Sequence, residues 1–359
     1  MRPPERPADV ERLWREGQPL SPDELPDWLE PEDAWYYRRV AGVSTEQIAA
    51  EQREQLEVAG LVLDPTGVYV PDPTEPIWSI GIYRGPSPFE LTPAVEGPVL
   101  TRDDVTDVTA SYIADPFLLR AGGTWHMFFE VYNWRANKGE IGLATSKDGL
   151  QWQYGEIVLA EEFHLSYPYV FEWAGERYLV PESHQAGEVR LYRADPFPTG
   201  WSLVGTLLEG SAFADPSVFS YQDRWWLLVE ASPELAHDTL RLYLAADLEG
   251  PWTEHPRSPV IRRDPMRARP AGRVLVDAGR IVRFSQDCSQ FYGAAVRAFE
   301  ITELTTRTYV EHELAEQPLL AGSGAGWNAG GMHHIDARPH PEGGWIAAVD
   351  GWAHGGSDQ

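Results

Sequence analysis

The sequence predicts an all-β protein, a five-bladed β-propeller with a small α-helical N-terminal appendage, on three observations. A hairpin unit recurs five times along the chain. Its opening residues lie 48 to 61 positions apart. A strand with no hairpin of its own precedes the first copy and can complete the last. A repeat near fifty residues matches one four-stranded propeller blade.

The first unit runs from Tyr112 to Arg120, with Asp115-Pro116 near its start, turns at Gly122-Gly123, and returns from Thr124 through Trp125, Phe128 and Phe129 to Glu130. Apolar runs joined by a glycine turn read as a hairpin, which brings Asp115 and Glu130 to the same end. The second unit is Tyr167-Pro168-Tyr169-Val170-Phe171, a turn at Ala174-Gly175 and Tyr178 to Glu182. The third restores Asp-Pro as Asp215-Pro216, turns at Gln222-Asp223, and returns from Trp225 to Glu230. A weaker fourth joins Arg273-Val274-Leu275-Val276 to Ile281 through Asp287, and a fifth joins His333-His334-Ile335-Asp336 to Trp345 through Asp350.

Third strands follow at Glu140 to Thr145, Glu188 to Arg193 and Thr239 to Leu244, each leading to a tryptophan at Trp152, Trp201 or Trp252. Blade four takes its outer strands from residues 293–299 and 307–311. Trp78 to Gly85 has the character of a third strand, and with residues 88–92 it completes the blade begun at His333. N-terminal strands thereby close the last blade, and closure removes exposed sheet edges. Residues 1–72, proline-punctuated and acidic, form the helical appendage, where Ser44 with Gln47 fits a capping box and Gly60 a stop. Residues 73–359 form the propeller.

With 29 basic and 55 acidic side chains the formal charge is −26, which repels nucleic acid and anionic lipid, so neither nucleic acid nor membrane is an expected partner. Cys288 is the single cysteine, which excludes an intramolecular disulfide, and no N-terminal apolar run resembles a signal peptide or spanning helix. A cytoplasmic location is the expectation. Fifteen Trp and fifteen Tyr suit both packed aromatic strands and sugar-stacking platforms.

The first strand of each blade lines the central channel, so Asp115, Tyr167, Asp215, Arg273 and either His333 or His334 form one ring at its mouth. Glu130, Glu182, Glu230, Asp287 and Asp350, from the returning strands, form another. Clustered carboxylates repel and raise one another's pKa, an arrangement met where sugars, metals or protons are handled. The competing explanation for any returning-strand acid is that it accepts backbone hydrogen bonds in a tight turn.

The catalytic candidates are Asp115, Asp215, Glu182 and Glu230, with Asp115 as base and Glu182 or Glu230 as acid at a glycosidic bond. Glu130, Tyr167, Arg273, Asp287, His333, His334 and Asp350 are the substrate-binding candidates, Arg273 holding a carboxylate, a phosphate or one of the acids. His333 and His334 alternate along a strand, so only one faces the channel. No cofactor motif is present, and a divalent cation at the channel, with His334 as a ligand, is the alternative use of the acids. Cys288 reads as an inert thiol.

Several runs in one order carry a resemblance: Pro98-Val99-Leu100-Thr101, Ala114-Asp115-Pro116-Phe117, Phe128-Phe129-Glu130, His164 to Phe171, Pro181-Glu182-Ser183, Gln286-Asp287-Cys288 and His333-His334-Ile335-Asp336. Over Ile77 to Trp352 the chain resembles the N-terminal domain of glucosamine inositolphosphorylceramide transferases. More distantly it is similar to five-bladed arabinanase and xylosidase-type glycosidases, whose clan uses a base Asp, a modulating Asp and an acid Glu on blades one to three. Asp115 matches the base position, whereas Tyr167 stands where that clan has Asp and Asp215 where it has Glu.

The reading is a carbohydrate-active protein that hydrolyses or transfers at a glycosidic bond in the propeller mouth. Its rivals are a non-catalytic sugar-binding domain partnering a glycosyltransferase and a nucleotide-sugar isomerase or mutase.

Overall fold

A computed structural model of the chain describes residues 61–63, 69–71, 76–232, 236–314 and 318–354. The chain divides into two compact units, Met1–Glu75 and Pro76–Gln359. In the first, β1 (Leu61–Leu63) and β2 (Tyr69–Pro71) pair as an antiparallel hairpin. The helix expected over residues 44–56 lies outside the described residues.

The second unit opens with β3 (Pro76–Ser87) and β4 (Glu90–Pro93), which pair with each other and later with the end of the chain. Blade one follows as β5 (Ala110–Ala121), β6 (Thr124–Asn133), β7 (Lys138–Ser146) and β8 (Gln153–Leu159). Blade two is β9 (Ser166–Trp173), β10 (Glu176–Glu182), β11 (Glu188–Ala194) and β12 (Trp201–Glu209). Blade three is β13 (Ala214–Tyr221), β14 (Arg224–Glu230), β15 (Leu240–Ala245) and β16 (Thr253–Glu254). Blade four is β17 (Leu275–Asp277), β18 (Arg280–Asp287), β19 (Ala295–Leu304) and β20 (Tyr309–Glu313), with β21 (Leu320–Ala321) also paired to β19. Blade five is β22 (Ile335–Pro339), β23 (Trp345–His354), β3 and β4. Four four-stranded sheets and the five-stranded sheet of blade four, with blade five built from both ends of the unit, make the five-bladed propeller that the repeat implies. Closure runs through β23 and β3, in register from Trp345 opposite Gly85 to His354 opposite Pro76.

Inner strands are buried on both faces because each blade packs between two others. That is why Met127-Phe128-Phe129 is an unbroken apolar run rather than an alternating one. Phe128, Val170, Leu179, Leu191 and Leu227 belong to one layer joining blades one to three. Ile80, Leu118, Met127, Phe129 and Ile346 fill the layer between blades five and one. The outermost strands β4 and β8 are mostly exposed or half-buried.

Blade four departs most from the repeat. Its inner strand is only three residues, Leu275–Asp277, so Arg273 precedes it. In place of a longer strand, Gly272 bridges Ile335 of blade five in parallel fashion. Gly272 has φ +134°, and a Cβ there would stand 1.8 Å from the Ile335 carbonyl oxygen. Only glycine permits that approach.

Candidate active site at the channel mouth

Tyr167 and Asp215 stand second in the inner strands of blades two and three, whereas Asp115 lies inside β5, which starts earlier than expected, at Ala110; each precedes a proline and each sits at a register shift. All three have positive φ, at 53°, 45° and 52°. That conformation costs a residue with a side chain about 1–3 kcal/mol, so surrounding bonds must enforce it. Here the backbone N–H groups do so. Asp115 donates to Asp350 Oδ2 at 3.0 Å, Tyr167 to Asp115 Oδ2 at 3.2 Å, and Asp215 to Glu182 Oε2 at 2.9 Å. Acids of one blade thus hold the strained entrance of the next.

The Asp115 carboxyl is only 5% exposed. Burial raises its pKa, His333 pulls it down and Asp350 pushes it up, leaving it at about 7. Asp350 accepts N–H bonds from His333 and His334 as well as Asp115, and His333 Nδ1 lies 2.8 Å from its Oδ2. Burial opposes ionisation of Asp350, but His333 and these donors outweigh it and hold the group below the usual range. Both histidines are buried and precede β22, so strand alternation does not sort them. The expectation that only one turns inward fails for that reason. His333 Nε2 lies 4.0 Å and His334 Nδ1 3.5 Å from Asp115 Oδ1.

Glu130 faces Ala114 across the hairpin, next to Asp115. Its Oε1 accepts the Tyr112 hydroxyl at 3.2 Å and stands 3.5 Å from His164 Nε2. Burial, then the charges of Asp115 and Glu182, push its pKa well above the glutamate range. Burial lowers His164 to about 4, so at neutral pH it is an uncharged neighbour.

Glu182 behaves oppositely. Burial would raise it, yet His184 Nδ1 at 2.7 Å, Arg269 and the Asp215 N–H hold it below the glutamate range. Asp215 is 1% exposed and lies under Arg269, whose Nε is 2.6 Å from its Oδ2, while Gln286 Nε2 donates to the same oxygen at 2.8 Å. Arg269 Nη2 reaches Glu182 at 3.7 Å, Nη1 lies 3.1 Å from His237, and the guanidinium sits 5.0 Å from the Tyr292 ring centroid. Aromatic rings pack around these groups, Tyr292 exposed and Trp78 buried. Trp78 stacks on His333 with centroids 3.9 Å apart, Tyr112 stacks on Tyr132 at 5.0 Å, and Tyr292 meets His333 edge-on at 5.2 Å.

Other expected members are taken up by bonds of their own. Glu230 is 1% exposed, and both the N–H and the hydroxyl of Ser232 donate to its Oε1. Asp287 accepts from Ser289 N–H at 3.1 Å and Arg297 Nε at 2.8 Å. Both therefore match the tight-turn explanation. The Tyr167 hydroxyl accepts Gly272 N–H at 2.7 Å and faces Ser217 Oγ at 2.9 Å, which leaves no free direction for a ligand. Arg273 lies in the channel, not at its mouth. Its Nε is 2.7 Å from Asp336 Oδ1 and its Nη2 donates to Val170 O at 2.7 Å, while Asp336 Oδ2 accepts Leu118 N–H at 2.6 Å. The short β17 sets Arg273 ahead of the strand that was to aim it. Burial lifts the Cys288 thiol to about 11, in keeping with an inert group.

Arg269, Asp336, Tyr292, Gln286 and Trp78 were not among the expected site residues. Arg269, Tyr292 and Asp336 lie outside the strand-end positions the repeat singled out, or one step along a strand from them. A run of arginines at 262, 263, 267, 269 and 273 in so acidic a chain was the available signal.

Asp115, His333 and Asp350 each offer a ligand atom within 4.8 Å of the others, a cluster that could hold a cation. However, Asp350 is already engaged by three backbone N–H groups and His333. The donors left open are Asp115 Oδ1 and His333 Nε2, with His334 making no hydrogen bond through its ring. Such a set is short of the six or more oxygens calcium takes. It suits calcium poorly.

The five-bladed propeller fold is shared with solved structures of glycosidases. Similar solved structures include the catalytic domain of an α-L-arabinofuranosidase from Coprinopsis cinerea, with TM-score 0.53 and 15% identity over 80% of this chain and 100% of that one. An exo-β-1,3-galactanase from Clostridium thermocellum also gives TM-score 0.53, at 13% identity over 70% of this chain and 57% of that one. At such identities the likeness speaks for the fold alone. Residues 71–352 match the family described as glucosamine inositolphosphorylceramide transferase 1, N-terminal, and the chain belongs to that family. It is 37% identical over 299 residues to glucosamine inositolphosphorylceramide transferase 1 of Oryza sativa subsp. japonica, covering 76% of this chain and 40% of that protein. To the Arabidopsis thaliana protein of the same name it is 32% identical over 296 residues, covering 76% of this chain and 39% of that one. The chain thus spans about two fifths of the length of these relatives. Among the described residues no helix is long and apolar enough to cross a membrane.

Proposed function

We propose that the mouth binds a carbohydrate and that Asp115 and Glu130 carry proton transfer at its glycosidic bond, in hydrolysis or in transfer to an acceptor hydroxyl. The observation that carries this is that Asp115 and Glu130, side by side at one hairpin end, are both raised while Glu182 and Asp350 near them are held low, which keeps exchangeable protons at the mouth. Glu130, kept protonated by burial and by adjacent negative charge, gives its proton to the leaving oxygen. Asp115, titrating near 7, takes the proton of the attacking water or hydroxyl. Glu182 and Asp350 stay ionised and stabilise positive charge developing at the anomeric carbon. Asp215, beneath Arg269, positions that arginine rather than touching the sugar. The exposed Tyr292 supplies stacking surface for the sugar's C–H faces. The family name and the glycosidase propellers favour a saccharide over other small molecules.

The test is turnover of a panel of glycosides by the wild type, Asp115→Asn and Glu130→Gln, with melting measured alongside. Loss of a proton-transfer group lowers turnover by about a hundredfold or more, and both variants should do so while staying folded. Undiminished turnover in both would remove the assignment. A saccharide that binds and is recovered intact after long incubation would replace it with a non-catalytic sugar-binding domain. If Asp115 and His333 instead hold a cation, adding zinc, manganese or calcium after chelation raises the melting temperature, by about 2.7 kcal/mol of stability at a hundred times the dissociation constant.

A further inference from the structure

In a chain with 55 acidic and 29 basic side chains, a cavity of about 510 Å³ on blade three presents Arg241, Arg262 and Arg263 together with Ser211, Ser232 and Thr239, and among the described residues no carboxylate lines it. Arg241 pairs with Glu254 at 2.7 Å, both side chains more than a third exposed, so the pair is weak, and Arg241 also neighbours the Tyr243 hydroxyl. Arg262 and Arg263 make no side-chain hydrogen bond or ion pair with any described residue. Arg263 is further held at φ 53°, away from the relaxed conformation of a long side chain.

The hydroxyls narrow the ligand's chemistry. Ser232 donates to Glu230 and Thr239 to Asp238, so their protons are committed. Free donors are the guanidiniums and Ser211. Guanidinium forks match the oxygens of phosphate, and three of them around one cavity suit a group with three oxygens better than a carboxylate with two. The chain's overall negative charge does not forbid this, because at physiological ionic strength it is screened beyond about 8 Å.

Two chain segments link the cavity to the mouth. Ser232, on the cavity wall, gives its N–H to Glu230 at the end of β14 at 2.7 Å. The segment holding Arg262 and Arg263 continues to Arg269, tied on the way by Asp264 N–H to Asp238 O at 3.1 Å and by Arg269 to His237 at 3.1 Å.

We propose that this cavity is an anion subsite that takes the phosphate of a phosphorylated saccharide whose sugar lies in the mouth. The phosphate site stands on the arginines alone; its pairing with a sugar rests on the carbohydrate reading above. The experiment is calorimetric titration at low ionic strength with inorganic phosphate, then with a panel of hexose monophosphates and their unphosphorylated hexoses. It compares the wild type, Asp115→Asn, and Arg262→Gln/Arg263→Asn, asparagine being chosen because it tolerates positive φ. The double variant, altered only at exposed residues, keeps the wild-type melting temperature. Inorganic phosphate binds the wild type and Asp115→Asn equally, and at least tenfold more weakly in the double variant. At least one hexose phosphate binds the wild type tenfold more tightly than phosphate, and Asp115→Asn loses only that increment. Equal phosphate binding in the double variant, or no saturable phosphate binding, overturns the subsite. Phosphate binding without any gain from an attached hexose keeps the subsite and overturns its pairing with the mouth.

Discussion

Two arginines of the channel, Arg273 and Arg269, keep contrasting company. Arg273 is ion-paired with Asp336, and the pair is stitched to the Val170 carbonyl and the Leu118 N–H, so that blades one, two, four and five meet on it; Arg338 lies beside them, pushed down to about 10 by burial and by the charge of Arg273. Arg269 is spread over Asp215 and Glu182, with His237 and Tyr292 beside it, in a funnel where carboxyls outnumber it. A pair whose members are bonded to each other and to the backbone of two further blades serves to hold the fold together. An outnumbered arginine leaves protons to be distributed among its neighbours, and that is the condition for chemistry.

The sharpest way to break this contrast is Asp336→Ala. It strands a buried guanidinium and leaves the Leu118 N–H without an acceptor, a change that costs about 3–5 kcal/mol. Chemical denaturation should show that loss, with the propeller destabilised as one unit. Near-native stability would mean the lower pair is dispensable and the contrast false.

A second test uses acidity. The Asp115 pKa rises from 3.8 to about 7 on folding, so the folded state binds the extra proton. This contribution is fully present below pH 4 and is lost as pH rises through 7, at about 1.4 kcal/mol per unit. Glu182 and Asp350, held low, contribute in the opposite sense, and their stabilisation disappears as pH falls through their folded values. Asp115→Asn should therefore be more stable than the wild type at pH 8 and lose that advantage by pH 4. Parallel stability curves for the two proteins would show that Asp115 ionises normally.

How much of this the sequence discloses depends on how local the cause is. Blades one to three are legible because Asp115-Pro116, Tyr167-Pro168 and Asp215-Pro216 each start an apolar strand that a two-residue turn sends back to an acid. The closing of blade five is legible from Trp78 onward for the same reason. Blade four is not, because a backbone approach at Gly272 replaces most of its inner strand, and no periodicity announces a contact with Ile335. That substitution is what places Arg273 below the mouth. Among the acids, position in the repeat shows which end of the propeller they occupy, but not whether a serine two residues on absorbs them, as Ser232 does for Glu230 and Ser289 for Asp287. Glu130 stands out only once Tyr112 and His164 are seen beside it.

Arg269→Met probes the upper arginine directly. Asp215 and Glu182 lose their shared cation, but each can take up a proton, which caps the cost in stability below that of Asp336→Ala. Ligand binding or turnover should fall by about a hundredfold, about 2.7 kcal/mol, because the charge distribution at the mouth is rewritten. Equal destabilisation by Asp336→Ala and Arg269→Met would make both arginines structural.

The smallest effect expected is at Tyr292, a residue 43% exposed whose ring stands over Arg269, edge-on to His333 and 6.3 Å from Trp78. An aromatic left this exposed contributes little to the core, so Tyr292→Ala should barely change the melting temperature. Over the guanidinium its cation–π contact is worth about 0.5–1 kcal/mol, and its outer face is a platform on which a sugar can stack. A saccharide ligand should therefore bind about tenfold more weakly, a loss of about 1.4 kcal/mol. Tyr292→Phe should restore most of it, since stacking needs the ring and not the hydroxyl. Failure of Tyr292→Phe to rescue would assign the effect to a hydrogen bond. Full affinity in Tyr292→Ala would move the sugar off this side of the mouth, toward Tyr112 and Tyr132.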